Sequence, residues 1–83
     1  MDKATVFRFL RGAFAMVFAR NDIRLHPGLT AADVMGWDSF RHVEIILALE
    51  AEYGIRIRAR EANAAATLGD LVALVVRKCQ ARN

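Results

Sequence analysis

The chain has 83 residues, enough for one domain, residues 1–83, with a modest hydrophobic core. Hydrophobic residues make up 55% and charged residues 25% of it, a balance typical of globular rather than disordered proteins. Its single cysteine excludes an internal disulfide, and no stretch has the pattern of a signal peptide or a membrane span. We therefore expect a cytoplasmic protein that does not insert into a membrane.

The first predicted element is a helix over residues 3–20. Asp2 has the side chain of a helix N-cap, and Asn21 is predicted to end the helix because Asn tolerates the left-handed conformation. The apolar residues of one side recur at helical spacing and predict a core-facing stripe: Phe7, Leu10, Phe14, Val17 and Phe18.

A long connection over residues 21–37 follows. Pro27 and Gly28 indicate a turn, and Thr30 and Asp33 have the spacing of a capping box, which predicts a helical turn. Long connections in compact domains are usually functional or mobile, and this one leads directly to the candidate site.

Residues 36–53 read GWDSFRHVEIILALEAEY and predict the central helix. Asp38 is its predicted N-cap, and the fifteen residues after it contain no Gly or Pro. Ser39 then lies in the first turn, where the macrodipole and the free N–H groups favour an anion such as phosphate. The position therefore suits a serine that carries a phosphodiester.

The central helix has apolar residues on two sides. One side is predicted to face the core: His42, Ile45, Ile46, Leu49 and Tyr53. The opposite side carries Phe40, Val43 and Leu47, which we call the docking face. It is flanked by Glu44 and Glu50, both of which are expected to be exposed. Since a helix needs only one apolar side to join a core, the second predicts a surface for partners. Periodicity alone favours the alternative that the helix is buried on both sides.

The remaining third of the chain predicts two more helices. Gly54 can end the central helix, and residues 55–58 alternate as an extended loop with Ile55 and Ile57 turned inward. Residues 59–65 are rich in alanine and predict a short third helix.

The last helix is predicted to begin at Thr67, which forms a capping box with Asp70. Its apolar stripe is predicted to comprise Leu68, Leu71, Val72, Val75 and Cys79, and its C-terminal cations Arg77, Lys78 and Arg82. The predicted fold is all-α, a four-helix bundle with a short third helix.

The central segment resembles the acyl carrier proteins around their phosphopantetheine attachment site. Asp38, Ser39 and Phe40 stand for the family's D-S-L triplet, and residues 43–55 stand for its V-E-L-x-x-x-L-E-x-x-F-G-I run. Residues 67–71 are similar to the T-x-x-D-L opening of the family's last helix. The resemblance implies a 4′-phosphopantetheine cofactor on Ser39, whose thiol holds acyl chains as thioesters. It also implies that Asp38 helps to present Ser39 to the modifying enzyme.

The resemblance further implies the partners. A phosphopantetheinyl transferase would modify Ser39 from coenzyme A with magnesium, and acyl-loading, synthase and transferase enzymes would then dock. Phe40, Val43 and Leu47 would make the apolar contact, and Glu44 and Glu50 the electrostatic contact. The chain would be a monomeric carrier rather than an enzyme, in a specialised fatty-acid, polyketide or related pathway. The D-S context, unlike the G-G-H-S or G-G-D-S of peptidyl carriers, favours an acyl cargo.

The charge departs from the acidic family pattern, with 12 Lys and Arg against 9 Asp and Glu. Residues 38–53 hold four carboxylates and one arginine, whereas residues 54–83 hold six cations and two carboxylates. Arg58 also stands where the family often has proline. Arg56, Arg58 and Arg60 support an alternative function as a small basic module that binds nucleic acid. Against it, the helix best suited to a groove is acidic, and the arginines lack interleaved aromatic residues.

Other functions fit less well. A carrier-like interaction domain without a prosthetic group would not need Ser39 after Asp38. Ser39 and His42 lie three residues apart, but the chain lacks the G-x-S-x-G elbow of a serine hydrolase. His42 is therefore expected to be a partly buried structural residue. His26, His42 and Cys79 do not have the spacing of a metal site, so no metal is expected.

Overall fold

The computed structural model describes residues 1–81. Within them the chain forms four α-helices and one short 3-10 turn, and no strand. The helices are α1 (Lys3–Phe18), α2 (Ser39–Tyr53), α3 (Ala59–Ala64) and α4 (Leu68–Ala81), and the turn is Ala31–Asp33. This confirms the predicted all-α fold with a short third helix. No helix of the described residues has the length and apolarity needed to cross a membrane.

Helix α1 begins where the sequence predicts and ends earlier. The Asp2 carboxylate accepts a hydrogen bond from the Thr5 N–H at 2.9 Å, which confirms the cap. The helix ends at Phe18, and Ala19 adopts the left-handed conformation with φ of 55°. The prediction that Asn21 ends the helix is therefore wrong. The chain turns two residues sooner, and Ile23 and Leu25 then pack against the core.

The long connection is fastened to the start of α4. The Leu68 N–H donates to the Leu29 carbonyl and the Gly69 N–H donates to the Pro27 carbonyl, each at 2.8 Å. These bonds satisfy N–H groups that a helix N-terminus leaves without partners. A Cβ on Gly69 would lie 2.8 Å from the Pro27 oxygen, so the close approach requires glycine. The connection is thus held in place beside the start of α2.

Helix α2 has one buried and one exposed apolar side. Ile45 and Leu49 are fully buried, whereas Phe40, Val43 and Leu47 are 70%, 53% and 56% exposed. Burial on both sides, the alternative that periodicity alone favours, is therefore wrong. The helix ends at Gly54, which has φ of 62° and takes the left-handed conformation that glycine adopts without strain.

Helices α1, α2 and α4 enclose the core, since α1 packs against both of the others. In the loop before α3, Ile57 is buried and Ile55 half-buried, as predicted. The predicted stripe of α4 is buried from Leu68 to Val75, with Cys79 half-buried at its end. Val6 and Leu74 are core residues that the predicted stripes leave out. Arg82, predicted to lie near the end of α4, falls outside the described residues.

Candidate functional site

The site is built at the junction between the long connection and α2. Asp38 has an extended backbone and caps the helix, because its Oδ1 accepts a hydrogen bond from the Arg41 N–H at 2.9 Å. Its Oδ2 lies 3.4 Å from the Arg41 Nη1. Gly36, with φ of 87°, gives the chain the turn that brings Asp38 to this position. The cap fixes the first turn of α2 and with it the place of Ser39.

Trp37 anchors the junction to the rest of the domain. Its ring meets Phe14 edge-on at a centroid distance of 5.2 Å and Phe18 at 6.2 Å. Its indole N–H donates to the His42 Nδ1 at 3.3 Å. The residue before Asp38 is therefore held by α1 and α2 together. His42, half-buried, acts as the hydrogen-bond acceptor for this anchor, in line with the structural role expected for it.

Ser39 is the first residue of α2 and the only serine in the chain. It is exposed. No hydrogen bond of its side chain occurs within residues 1–81. The threonine hydroxyls, in contrast, all take part in caps or turns. Those of Thr5 and Thr30 donate to Asp2 and Asp33, and that of Thr67 accepts from the Asp70 N–H. Ser39 thus offers a hydroxyl that no local structure occupies.

A groove of about 270 Å³ opens beside the Ser39 hydroxyl. It runs from Asp38 and Ser39 to α3, where Ala62 and Asn63 line its far side. Alanine side chains leave space along its floor, and Asn63 adds a side-chain amide that can donate and accept hydrogen bonds. The residues present therefore fit a flexible, amide-containing arm attached at Ser39.

The docking face lies on the same helix and is continuous with the site. Phe40 follows Ser39 directly, and Val43 and Leu47 extend the exposed apolar surface along α2. Glu44 is exposed beside it. An exposed surface of three large apolar side chains on one helix is unusual for a face that contacts only water.

Glu50, expected to be an exposed member of this surface, has a structural contact instead. Its Oε2 accepts a hydrogen bond from the Ile57 N–H at 2.7 Å, and the residue is half-buried. The presumption that Glu50 is exposed is therefore wrong. The reason is that the loop after Gly54 folds back along α2 and brings an unpaired N–H group to this carboxylate.

Two features of the site were not found from the sequence. The Trp37–His42 hydrogen bond and the Glu50–Ile57 hydrogen bond both join side chains to groups that no sequence pattern pairs. The uniqueness of Ser39, in contrast, can be read directly from the sequence. Within residues 1–81, no group of three His, Cys, Asp or Glu side chains could hold a metal ion.

Comparison with known families matches residues 8–75 to the family described as "Phosphopantetheine attachment site". A chain of Schizosaccharomyces pombe that bears the name of a mitochondrial acyl carrier protein is 29% identical over 59 residues. That alignment covers 71% of this chain and 53%, about half, of the relative. The solution structure of a holo acyl carrier protein from Geobacter metallireducens matches with a TM-score of 0.80 at 33% identity. It covers 88% of this chain and 84% of the other.

Proposed function

Because the chain belongs to the acyl carrier protein family, whose cofactor is a covalently attached 4′-phosphopantetheine, we propose that Ser39 is the attachment residue. The observation that carries the proposal is that the Ser39 hydroxyl, unlike the threonine hydroxyls, makes no hydrogen bond within the described residues. Ser39 is the only serine, and its side chain is exposed at a helix N-terminus. The matched family segment, residues 8–75, contains it.

The surroundings of Ser39 suit a phosphodiester. Asp38 takes the N–H of Arg41, while the N–H groups of Ser39 and Phe40 lie too early in α2 to have a carbonyl of the helix as partner. These groups and the macrodipole favour the negative charge of a phosphodiester on the Ser39 oxygen. When attached, the group supplies a terminal thiol that holds acyl chains as thioesters.

Asp38 and Trp37 would act by positioning. Asp38 holds the first turn of α2, so that the Ser39 oxygen points away from the domain toward a phosphopantetheinyl transferase. In this proposal Asp38 also faces the transferase's metal ion, since a carboxylate next to the reacting hydroxyl can approach a magnesium ion on the partner. The Trp37 anchor would hold the loop that precedes the site against α1 and α2.

The partners proposed for this carrier are the transferase and the acyl-loading, synthase and transferase enzymes of one biosynthetic pathway. Phe40, Val43 and Leu47 would fill an apolar contact on them, with Glu44 beside it. The unusual charge of the chain supports a dedicated fatty-acid, polyketide or related pathway, with an acyl rather than an aminoacyl cargo. The expected cytoplasmic location and monomeric state stay predictions.

Intact mass spectrometry tests the attachment residue. The full chain is incubated with coenzyme A, magnesium and a broad-specificity phosphopantetheinyl transferase. We expect one phosphopantetheine increment in the wild type and in the control variant Thr30→Ala, and none in Ser39→Ala. An unmodified wild type, or an increment that persists in Ser39→Ala, would overturn the assignment.

A further inference from the structure

Three arginines form a basic surface that the carrier function does not use. Arg56, Arg58 and Arg60, which we call the arginine surface, are all exposed. None of them forms an ion pair within residues 1–81, where the ion pairs are Arg20–Asp22, Arg41–Asp38 and Lys78–Glu61. Neighbouring guanidinium groups repel one another, and a bound cluster of carboxylates would offset that repulsion.

The fold displays these arginines on a rigid backbone. Ile57 is buried between Arg56 and Arg58, so the two arginines point outward on the same side of an extended segment, roughly 7 Å apart. The Ile57 N–H is held by Glu50 at 2.7 Å, and the Arg58 N–H by Glu61 at 2.9 Å. A partner would therefore bind without having to order this loop, which lowers the entropic cost of association.

The arginine surface runs from the loop after α2 to the start of α3. Arg56 follows the C-terminal end of α2, roughly 22 Å of helix from Ser39. Arg60 lies in α3, two residues before Ala62, which lines the groove beside Ser39.

From this placement we propose that the arginine surface is a second recognition surface, which binds a cluster of carboxylates on a partner protein. The planar guanidinium group matches a carboxylate with two parallel hydrogen bonds, so the neighbouring arginines fit a short acidic stretch. The binding does not depend on Ser39 being the attachment residue.

The surroundings favour a protein over a membrane or a nucleic acid. The exposed large apolar side chains of the described residues all lie elsewhere: Met1, Met16, Met35, Phe40, Val43 and Leu47. The arginine surface therefore has nothing large and apolar to insert into a bilayer. Glu52, exposed near the end of α2, and Glu61, in the first turn of α3, interrupt the positive charge. A nucleic acid needs a continuous basic track and stacking partners, which this surface does not offer.

The test measures binding of a fluorescent peptide of about six glutamates to the full chain by anisotropy, at roughly 0.01 M salt, where screening is weakest. The variant Arg56→Gln/Arg58→Gln/Arg60→Gln is compared with Lys3→Gln/Arg8→Gln/Arg11→Gln. The control removes three exposed cations from α1, so both variants lose the same net charge. Circular dichroism checks that both remain helical. An oligothymidylate of equal charge and vesicles of phosphatidylserine and phosphatidylcholine are the competing ligands.

We expect the arginine variant to lose about tenfold in affinity for the peptide and the control less than about threefold. Equal losses would overturn the proposal, because binding would then follow net charge alone. Tighter binding of the oligonucleotide or of the vesicles, abolished by the same arginine changes, would also overturn it and assign the surface to that ligand. Ser39 modification is not part of the readout, so failure here leaves the carrier function untouched.

Discussion

Glu50 belongs to the helix of the docking face but uses its carboxylate inside the domain. Its hydrogen bond to the Ile57 N–H, at 2.7 Å, ties the loop that carries the arginine surface to α2. Glu50→Ala leaves that N–H without its partner, and hydrogen bonds to charged groups contribute about 1.5–3 kcal/mol. We expect a loss of that size in the free energy of unfolding, measured in urea.

Glu52→Ala is the matched control for this measurement. Glu52 lies on the same helix, is exposed and makes no hydrogen bond or ion pair within the described residues. Its replacement should change the free energy of unfolding by less than about 0.5 kcal/mol. Equal losses in the two variants would contradict the structural role given to Glu50.

At the scale of single residues, the sequence predicts contacts that are local in the chain. Asp2 and Asp38 each cap a helix by accepting a hydrogen bond from the N–H group three residues ahead. The pattern of residue types is enough to identify both caps. The Glu50–Ile57 and Trp37–His42 contacts depend on how a loop folds back on a helix. Nothing in the spacing of those residues specifies that path, which explains why Glu50 was expected to be exposed.

The buried and exposed apolar sides of helix α2 can be compared directly through their contributions to stability. Leu49 is fully buried, whereas Leu47 is 56% exposed, so the same substitution tests both. Leu49→Ala should lower the free energy of unfolding by about 2–5 kcal/mol, because it removes core contacts and leaves a cavity. Leu47→Ala should lower it by less than about 1 kcal/mol. Similar losses in denaturant melts would show that the two sides of α2 have been misassigned.

The charge on the docking side of α2 is tested through the modification rate. Glu44 is exposed beside Phe40 and Leu47, and charges at the rim of an interface act mainly on the association rate. Glu44→Lys should slow modification of Ser39 by roughly three- to tenfold at low salt. The difference should shrink toward roughly 1 M salt, where the Debye length is about 3 Å.

Glu52→Lys is the control for this experiment, because it makes the same charge change on another side of α2. It should leave the rate nearly unchanged. If it slows modification as much as Glu44→Lys, net charge rather than the docking face governs the encounter. Glu50→Lys is not a suitable variant, since it would also break the bond to Ile57.

At the scale of elements, helix identity was predictable and some helix ends were not. The period of the apolar residues and the caps predict α1, α2 and α4, and glycine predicts the end of α2. Helix α1 ends at Phe18, and Ala19 after it has no preference for the left-handed conformation that it adopts. Tertiary packing of the following loop therefore decides the turn. The close approach of Pro27 to Gly69 cannot be predicted from the sequence either, because the two residues lie in segments that are distant along the chain.

Across the whole molecule, one ion pair joins α3 to α4. The Glu61 carboxylate accepts from the Arg58 N–H at 2.9 Å and lies 2.9 Å from the Lys78 ammonium. The hydrogen bond from Arg58, followed by that from Lys78, lowers the pKa of Glu61 below its usual value. A carboxylate with a lowered pKa in the folded state stabilises the fold above its unfolded pKa. That contribution is lost as the pH falls through the folded pKa.

Glu61→Gln removes this titration. We expect the variant to be less stable than the wild type near pH 7 and the difference to narrow below about pH 4, near the ordinary pKa of Glu. Urea melts of both proteins from about pH 7 to below about pH 4 measure the difference in the free energy of unfolding. Taking the difference between the two proteins removes the contribution of the other carboxylates. A difference that stays constant with pH would contradict the assigned ion pair.

The overall layout and the uneven charge could both be read from the sequence. The acidic α2 and the basic residues after it are a matter of composition, and the structure adds which of those charges are paired. Lys78 forms an ion pair with Glu61, whereas Arg56, Arg58 and Arg60 form none within residues 1–81. Only the three-dimensional contacts show which charges form ion pairs. They distinguish a surface with an excess of positive charge, which can recognise a partner, from a surface whose charges cancel.

Peptide mapping of the modified chain tests the central claim, that Ser39 carries the phosphopantetheine. Trypsin cleavage after Arg24 and Arg41 releases residues 25–41, which contain Ser39 and one threonine, Thr30. After incubation with coenzyme A and the transferase, fragment ions should assign the whole increment to Ser39, between Asp38 and Phe40. An increment on Thr30, or on any peptide outside residues 25–41, would contradict the account.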